Sequence, residues 1–405
     1  MAKRIIPDLV RHYAEEASFQ WIVRERALRS PDHARADIAA LDARLEAQLD
    51  ALLLAGDGGW DICREELKWE EPGEVFTAAL MAFQSGDAKR IEAVAEAASA
   101  KPGLPRALVS ALGWMPWEQA GPLIAKLANL AESEWPVLRY ATVGGAAVHR
   151  QWESKRMAVA LNDKDPLVLA RALKACGELG HKATLVAVES HRDSPDEACR
   201  FWSRWSTLLL GKKEVASDLL ALGGKSGRFR IQALSLALRA VPAAEALAWL
   251  DALGAADMRL RIAGLGWIGA AVRVPWLLEQ LRTPALARPA GGALTWITGV
   301  EFKTGKLGRF PPPGLEEELE EAGLAEAADV DWPWPDADAT AQWWQVTGKK
   351  FDSSKTYILG RPKGVPAFQD AWAEGKQCHR LGAALELALA QPGTPLPEGR
   401  TRAPG

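Results

Sequence analysis

The sequence predicts an all-α fold of stacked helical hairpins, and three observations carry that expectation. Apolar residues return at three- and four-residue steps within successive segments. Turn residues separate those segments at short intervals. A basic position followed by small residues recurs through the middle of the chain at a near-constant spacing. At 405 residues the chain exceeds one ordinary core, so it either divides into domains or extends as a repeat array, whose length is not bounded by surface-to-volume scaling. Hydrophobic residues at 48% and charged residues at 25% are ordinary for a folded protein. Ala and Leu are common and β-branched residues sparse, which favours helix.

The first helix is read over Ile5 to Ser30, where Ile6, Val10, Tyr13, Ala17, Trp21 and Leu28 describe one apolar stripe ended by Pro31-Asp32. A second runs from about Ala34 to Ala55 with Ile38, Leu41, Leu45, Leu49 and Leu52 on one face, and the Gly56-Asp57-Gly58-Gly59 run stops it. Shorter helices follow at about 60–69, 73–84, 87–99 and 104–113, divided by Glu71-Pro72-Gly73, Ser85-Gly86-Asp87 and Lys101-Pro102-Gly103. Residues 1–100 are therefore expected to form a helical N-terminal cap region.

Over residues 101–300 the array becomes explicit. The basic position recurs at Arg139, Arg171, Arg200, Arg230, Arg261 and Arg288, in steps of 32, 29, 30, 31 and 27 residues, a period that marks stacked helical repeats. The clearest copy is Asp165 to Gly180. There Asp165 can cap a helix, Pro166 sits where its missing N–H costs nothing, and Gly180 can end the helix left-handed. Ala172, Ala175 and Gly177 let neighbouring helices approach closely. The segments around Arg261 and Arg230 repeat the same logic. The arginines have two readings: stitching repeats through carboxylates such as Asp165 and helix-end carbonyls, the commoner outcome, or lining a basic groove. This stretch resembles HEAT repeats, especially the short kind of phycobilisome-lyase-like proteins. The resemblance implies a right-handed α-solenoid.

After Gly299 the character changes. Phe310-Pro311-Pro312-Pro313-Gly314 breaks the chain, and Leu315 to Asp338 holds no Lys or Arg and reads as a helix followed by a loop. Trp332-Pro333-Trp334-Pro335-Asp336 cannot continue a helix, because alternate prolines remove donors and hold their neighbours extended. With Trp343-Trp344 downstream it has two readings. One is an irregular Trp/Pro-rich cap over the last repeat, favoured because four exposed Trp would exceed the apolar patch a monomer usually shows. The other is a partner-binding anchor formed by Trp332, Trp334, Asp336, Trp343 and Trp344. Residues 301–390 form this C-terminal capping region, with a last helix at about Ala383 to Ala390. The Pro- and Gly-rich residues 391–405 are expected to be disordered.

The whole arrangement is similar to a proteobacterial family of HEAT-repeat proteins often encoded beside type VI secretion genes. The similarity rests on His12-Tyr13-Ala14-Glu15-Glu16-Ala17 with Trp21 and Arg24, Leu41-Asp42-Ala43-Arg44, Leu112-Gly113-Trp114, Ile297-Thr298-Gly299 and Trp332 to Asp336, and it covers nearly the full chain. It implies a setting among secreted effectors and spike components, and it points to a context rather than to a mechanism.

Chemistry-bearing constellations are scarce. His12, His33, His149, His181, His191 and His379 lie in no HExxH or nucleophile-elbow setting. Cys63, Cys176, Cys199 and Cys378 form no CxxC pair and fit reduced thiols. Cys378-His379 are adjacent and diverge on a helix. His181 follows Gly180, where an imidazole commonly caps a helix end. His12 and Glu16 share a face at i, i+4 but lack a third metal ligand. We expect no catalytic residues, cofactor or metal. A net charge of −3 makes nucleic acid an unlikely partner. The Met1-Ala2-Lys3-Arg4 start leads into no apolar core of a signal peptide, and no segment approaches a membrane span, so a cytoplasmic location is expected. The 18 Trp against 3 Tyr suit repeat cores first and interface anchors second.

The expected function is therefore non-enzymatic: a protein-binding adaptor, chaperone or immunity-type protein. The alternative is a HEAT-like enzyme such as an alkylbase DNA glycosylase, for which aromatics are present and a basic surface is not evident. A bilin lyase rests on fold analogy alone. The charge of the concave face separates these readings, a basic trough pointing to nucleic acid and a mixed, Trp-bearing one to protein.

Overall fold

The computed structural model describes residues 5–129, 135–152, 154–254, 256–303, 305–324 and 326–402. The basic start at 1–4 and the last three residues of the tail lie outside them. Among the described residues are 22 α-helices and two strands of two residues each, and no helix is long and apolar enough to cross a membrane. The chain forms two compact units. The first comprises the residues up to Arg29, His33–Gly211 and those from Pro392 onward; the second comprises Ser30–Asp32 and Lys212–Gln391.

In the first unit the helices are α1 (Pro7–Ala27), α2 (Arg35–Ala55), α3 (Asp57–Glu66), α4 (Pro72–Ser85), α5 (Ala88–Ser99), α6 (Pro105–Trp114), α7 (Trp117–Asn129), α8 (Pro136–Val148), α9 (Ser154–Ala160), α10 (Pro166–Leu179), α11 (Leu185–Glu189) and α12 (Glu197–Leu209). Their ends follow from local chemistry. Proline opens α1, α4, α6, α8 and α10, where its missing N–H would be unpaired in any case. Asp87, Asp165 and Asp196 accept the backbone N–H groups of Arg90, Leu167 and Cys199 at 3.0, 2.8 and 2.8 Å, satisfying orphan donors. Gly86 and Gly180, at φ 65° and 66°, close α4 and α10 in the left-handed region that glycine tolerates.

A ladder of alternate helices carries the packing: α1 on α4, then α4 on α6, α6 on α8, α8 on α10 and α10 on α12, with intervening helices alongside. Small residues set the spacing. A side chain at Gly177 would meet the Ser206 Cα at 2.9 Å, and one at Gly145 would meet the Leu112 Cβ at 2.9 Å. Phe76 stacks on Trp21 with ring centroids 5.2 Å apart and meets Trp114 edge-on at 6.0 Å. One buried cluster thereby runs from Val10 through Ala146. Helices α1–α5, the expected N-terminal cap region, share this core with α6–α8 through these rings, and the division between the two units falls between Gly211 and Lys212.

In the second unit α13 (Ala216–Gly223), α14 (Arg230–Ala240), α15 (Ala243–Ala252), α16 (Met258–Ile268), α17 (Val274–Gln280) and α18 (Pro284–Thr298) repeat the pattern, with α14 on α16 and α16 on α18. Then come α19 (Leu315–Glu321), α20 (Ala337–Thr347), strands β1 (Tyr357–Ile358) and β2 (Arg361–Pro362), α21 (Val365–Glu374) and α22 (Gln377–Ala390). The β-hairpin turns through Leu359 and Gly360 at φ 49° and 81°, a two-residue turn with both φ positive. It seals helix ends: the Tyr357, Leu359 and Gly360 N–H groups donate to the carbonyls of Gly269, Trp296 and Ile297 at 2.8, 2.8 and 3.0 Å.

Candidate functional site

The C-terminal ends of α6, α8, α10 and α12 bring a row of polar backbone and basic side chains to one edge of the first unit. Across that row lies the segment 392–402, which carries Pro392, Pro395 and Pro397. Its course is fixed residue by residue. At α12 a side chain on Gly211 would meet the Pro392 ring at 3.2 Å, and at α10 one on Gly180 would meet the Gly393 carbonyl at 2.7 Å. The Leu396 N–H donates to the Glu178 carbonyl at 2.8 Å. The Leu396 carbonyl accepts from Arg150 Nε and Nη2 at 3.0 and 2.6 Å, while Arg150 Nη1 reaches Glu398 at 3.2 Å. Arg24 donates to the Arg400 and Thr401 carbonyls, both at 3.0 Å. Arg402 ends the run, paired with Glu46 at 2.5 Å and 6.0 Å from the Trp114 ring centroid.

The arginines that hold this segment are themselves held. Arg24 on α1 is buried, bonded through Nε to Asp42 and 5.3 Å from the Trp114 ring centroid. Arg150 sits just beyond α8 at φ 55°, a left-handed residue that breaks the helix and swings its guanidinium toward the segment. On α10, buried Arg171 pairs with Glu178 at 2.9 Å and donates to the Gly144 carbonyl at 3.3 Å, and Lys174 approaches Glu178 at 3.4 Å. Burial pushes the Glu178 carboxyl up, but Arg171, Lys174 and Arg150 override it and hold the group down at about 2. Burial lowers Lys174, and neighbouring Arg171, Arg400 and Arg106 add to this against Glu178. Burial and then Arg400 lower Arg106 to about 10, and the same two causes lower Arg29. A cavity of about 410 Å³ remains beside the segment, bounded by Trp114, Trp117, His149, Thr401 and Arg402.

This arrangement holds polypeptide backbone. Arg24 and Arg150 direct donors at main-chain carbonyls, which every residue supplies. The nearby groups are poor reagents. Burial raises Cys176 to about 11, which keeps the thiol protonated, and the His149 ring is occupied at 2.9 Å by the Leu112 carbonyl and lies 5.3 Å from Trp117. Among the described residues no group of three His, Cys, Asp or Glu is placed to hold a metal ion.

The residues singled out from the sequence fall mostly elsewhere. Arg139 clasps Asp163 at 2.8 and 3.1 Å, whereas Asp165 is occupied capping α10. Arg230 bonds Asp257 at 2.6 Å and the Gly223 carbonyl at 3.0 Å. Arg261 pairs with Asp251 at 2.8 Å, and Arg288 with Glu316. Arg200 donates to the Ser194 and Pro195 carbonyls at 2.7 and 2.6 Å, and of the six repeat arginines only Arg171 lies against a groove residue, Glu178. In the second unit Trp334 is buried, bonded through Nε1 to Glu316 at 3.2 Å and stacked 4.5 Å from Arg288. Asp336 caps α20 by accepting the Ala339 N–H at 2.8 Å. Half-buried Trp332 lies against Gly292, and Trp344 links Trp343 to Phe351 with centroids 5.9 and 5.3 Å apart. His379 is buried against Trp296, whose ring is 4.8 Å from the imidazole, beside half-buried Cys378; burial raises the thiol and lowers His379 to about 4.

Sequence reasoning did not single out Arg24, Arg150 and Glu178 as groove residues; of the tail expected to be disordered, residues 403–405 lie outside the described residues and 392–402 follow the course given above. The three prolines in 392–402 were the available signal, since a pre-extended segment loses less entropy on docking. No protein-family model matches the chain, and no curated protein matches it.

Proposed function

We propose that this chain is a non-enzymatic, HEAT-like α-solenoid that binds another protein by taking an extended segment of it across the helix ends of the first unit. The observation that carries the reading is the placement of residues 392–402: an irregular polypeptide held through three of its own carbonyls by Arg24 and Arg150. Alternating helix contacts within each unit support the solenoid, in which neighbouring repeats build one continuous surface. The groove is mixed in charge and bears Trp114 and Trp117, features of a protein-binding face. The resemblance to proteins encoded near type VI secretion genes adds a setting, in which an adaptor, chaperone or immunity protein would meet an effector or spike component.

The test separates the chain's own segment from its competitor. Arg402→Glu turns the pair with Glu46 into a repulsion and loosens the segment without altering Arg24 or Arg150. Retention of a stoichiometric protein partner from source-cell lysate should rise about fivefold or more, the scale of a partly exposed ion pair reversed in sign. Adding Arg150→Asn on that background should lower retention again, asparagine being chosen because it tolerates positive φ. Retention indifferent to both changes would sink the reading.

A further inference from the structure

The exposed side of α1 carries a cavity away from the row of helix ends. At about 100° per residue, Arg11, Glu15, Phe19 and Ile22 fall on this side, and Arg24, which holds residues 400 and 401, falls on the other. Facing them, the chain leaves α3 through one turn of 3₁₀ helix, Leu67–Trp69, and Glu70 at φ 51° turns it into α4. The cavity between these walls, about 630 Å³, is closed at the start of α4 by Glu71 and Glu74. Its apolar rim stays in solvent: Phe19 is 61% exposed, Ile22 43% and Trp69 58%. The Trp69 ring is nonetheless fixed. Its Nε1 donates to Glu66 Oε2 at 2.8 Å, Glu66 accepts from Arg11, and Arg11 also reaches Glu65 at 2.9 Å. An exposed indole already held in place loses little freedom on binding and suits an interface anchor.

Charge decides what covers this rim. Arg11 is occupied by Glu65 and Glu66, and Lys68, the other cation of the lining, lies 5.0 Å from the Trp69 ring centroid. Glu15, Glu71 and Glu74 line the same cavity and make no ion pair among the described residues, and one Glu74 oxygen, Oε2, is buried without a hydrogen-bond partner. An oxygen left in that state is costly, and a donor brought by a partner removes the cost. Burial raises the Glu74 carboxyl, and Glu71 and Glu66 add to this against its own backbone N–H, a direction that an incoming cation reverses. Anionic lipid and nucleic-acid phosphate would meet these carboxylates and be repelled. Polypeptide with a basic side chain among apolar ones answers both the carboxylates and the rings. We infer that this side of α1 is a second docking face of the first unit, taking a segment of another protein that directs a lysine or arginine at Glu15, Glu71 and Glu74 and lays apolar neighbours on Phe19, Ile22 and Trp69. The face stands whether or not the helix-end groove takes a partner.

Dodecapeptides displayed on phage would be selected on the full-length chain, and the enriched ones synthesised and titrated into the parent, Trp69→Ser and Glu71→Lys. Both residues are exposed, so the variants should keep the parent's melting temperature. The selected peptides are expected to hold a lysine or arginine within a few positions of aromatic or branched apolar residues, and to bind either variant about tenfold more weakly. Exchanging that basic residue for glutamate in the peptide should weaken binding to the parent about tenfold and restore it on Glu71→Lys. Selected peptides that are acidic or wholly apolar, or whose affinity neither variant changes, would overturn the inference, as would a selection that enriches no peptide. Peptides sensitive to Arg150→Asn instead would belong to the helix-end groove and leave the reading of that groove intact. A dimer of the isolated chain that Glu71→Lys dissociates would give the face to a second copy and overturn the inference as well.

Discussion

Replacing Glu178 by glutamine tests whether the charges beneath the groove are held by one carboxylate. Glu178 serves Arg171 at 2.9 Å and Lys174 at 3.4 Å, and its own side chain is only 13% exposed. Its pKa falls from 4.5 to about 2, which at 1.36 kcal/mol per unit corresponds to about 3 kcal/mol of stability at neutral pH. That agrees with the roughly 3–5 kcal/mol usually lost when one partner of a buried pair is removed. Because the folded value is depressed, the contribution is complete above about pH 4.5 and disappears as pH falls toward 2. Glu178→Gln should therefore lower the melting temperature of the first unit by roughly 6–12 °C at pH 7, at about 2–4 °C per kcal/mol. Between pH 4.5 and 2 the variant should lose less stability than the parent. Calorimetry, with exchange measured on the peptide covering α10 to assign the transition, decides the matter. A loss below about 1 kcal/mol at pH 7, or an unchanged acid profile, would show that Arg171 is held by other groups and refute the reasoning.

Three further outcomes are expected. His379, kept neutral by burial with its pKa lowered to about 4, takes up its proton more readily when unfolded, so the second unit should weaken as pH falls from 6.5 to 4; His379→Leu should flatten that slope in pH-dependent calorimetry. Gly177→Ala forces a methyl against Ser206 at the α10–α12 contact and should cost about 1–3 kcal/mol in urea unfolding, the usual range for overpacking. Asp165→Ala removes the cap on α10 and should cost about 1 kcal/mol, detected as faster exchange in its first turn.

Helices with a strong local signature were legible in the sequence: the stripe ending at Pro31-Asp32 became α1, and Asp165-Pro166 with Gly180 bounded α10. Their local rules, a cap, a ring and a glycine, act without reference to distant residues. The region after Gly299 was harder. Gly364 and Gly375 bracket α21, but its short apolar stretch gives no periodicity as clear as the array's, and β1 and β2 exist because helix-end carbonyls accept the Tyr357, Leu359 and Gly360 amides. The groove was illegible for a similar reason. Arg24 and Arg150 acquire their role only when residues nearly 250 or more positions away come to lie beside them. The repeat arginines were conspicuous because of their period, and that period reflects packing, as the Arg139 and Arg230 pairs show.

The contact of Gly211 with Pro392 has a consequence for synthesis. The polypeptide leaves the first unit at Gly211 and returns to the same spot only after the intervening residues 212–391 have been made. At about 5–20 residues per second that interval lasts roughly 10–35 seconds. During it residues 7–209, which form α1 to α12, have already been made while residues 392–402 have not, so every newly made molecule passes through a period in which that row of helix ends is uncovered.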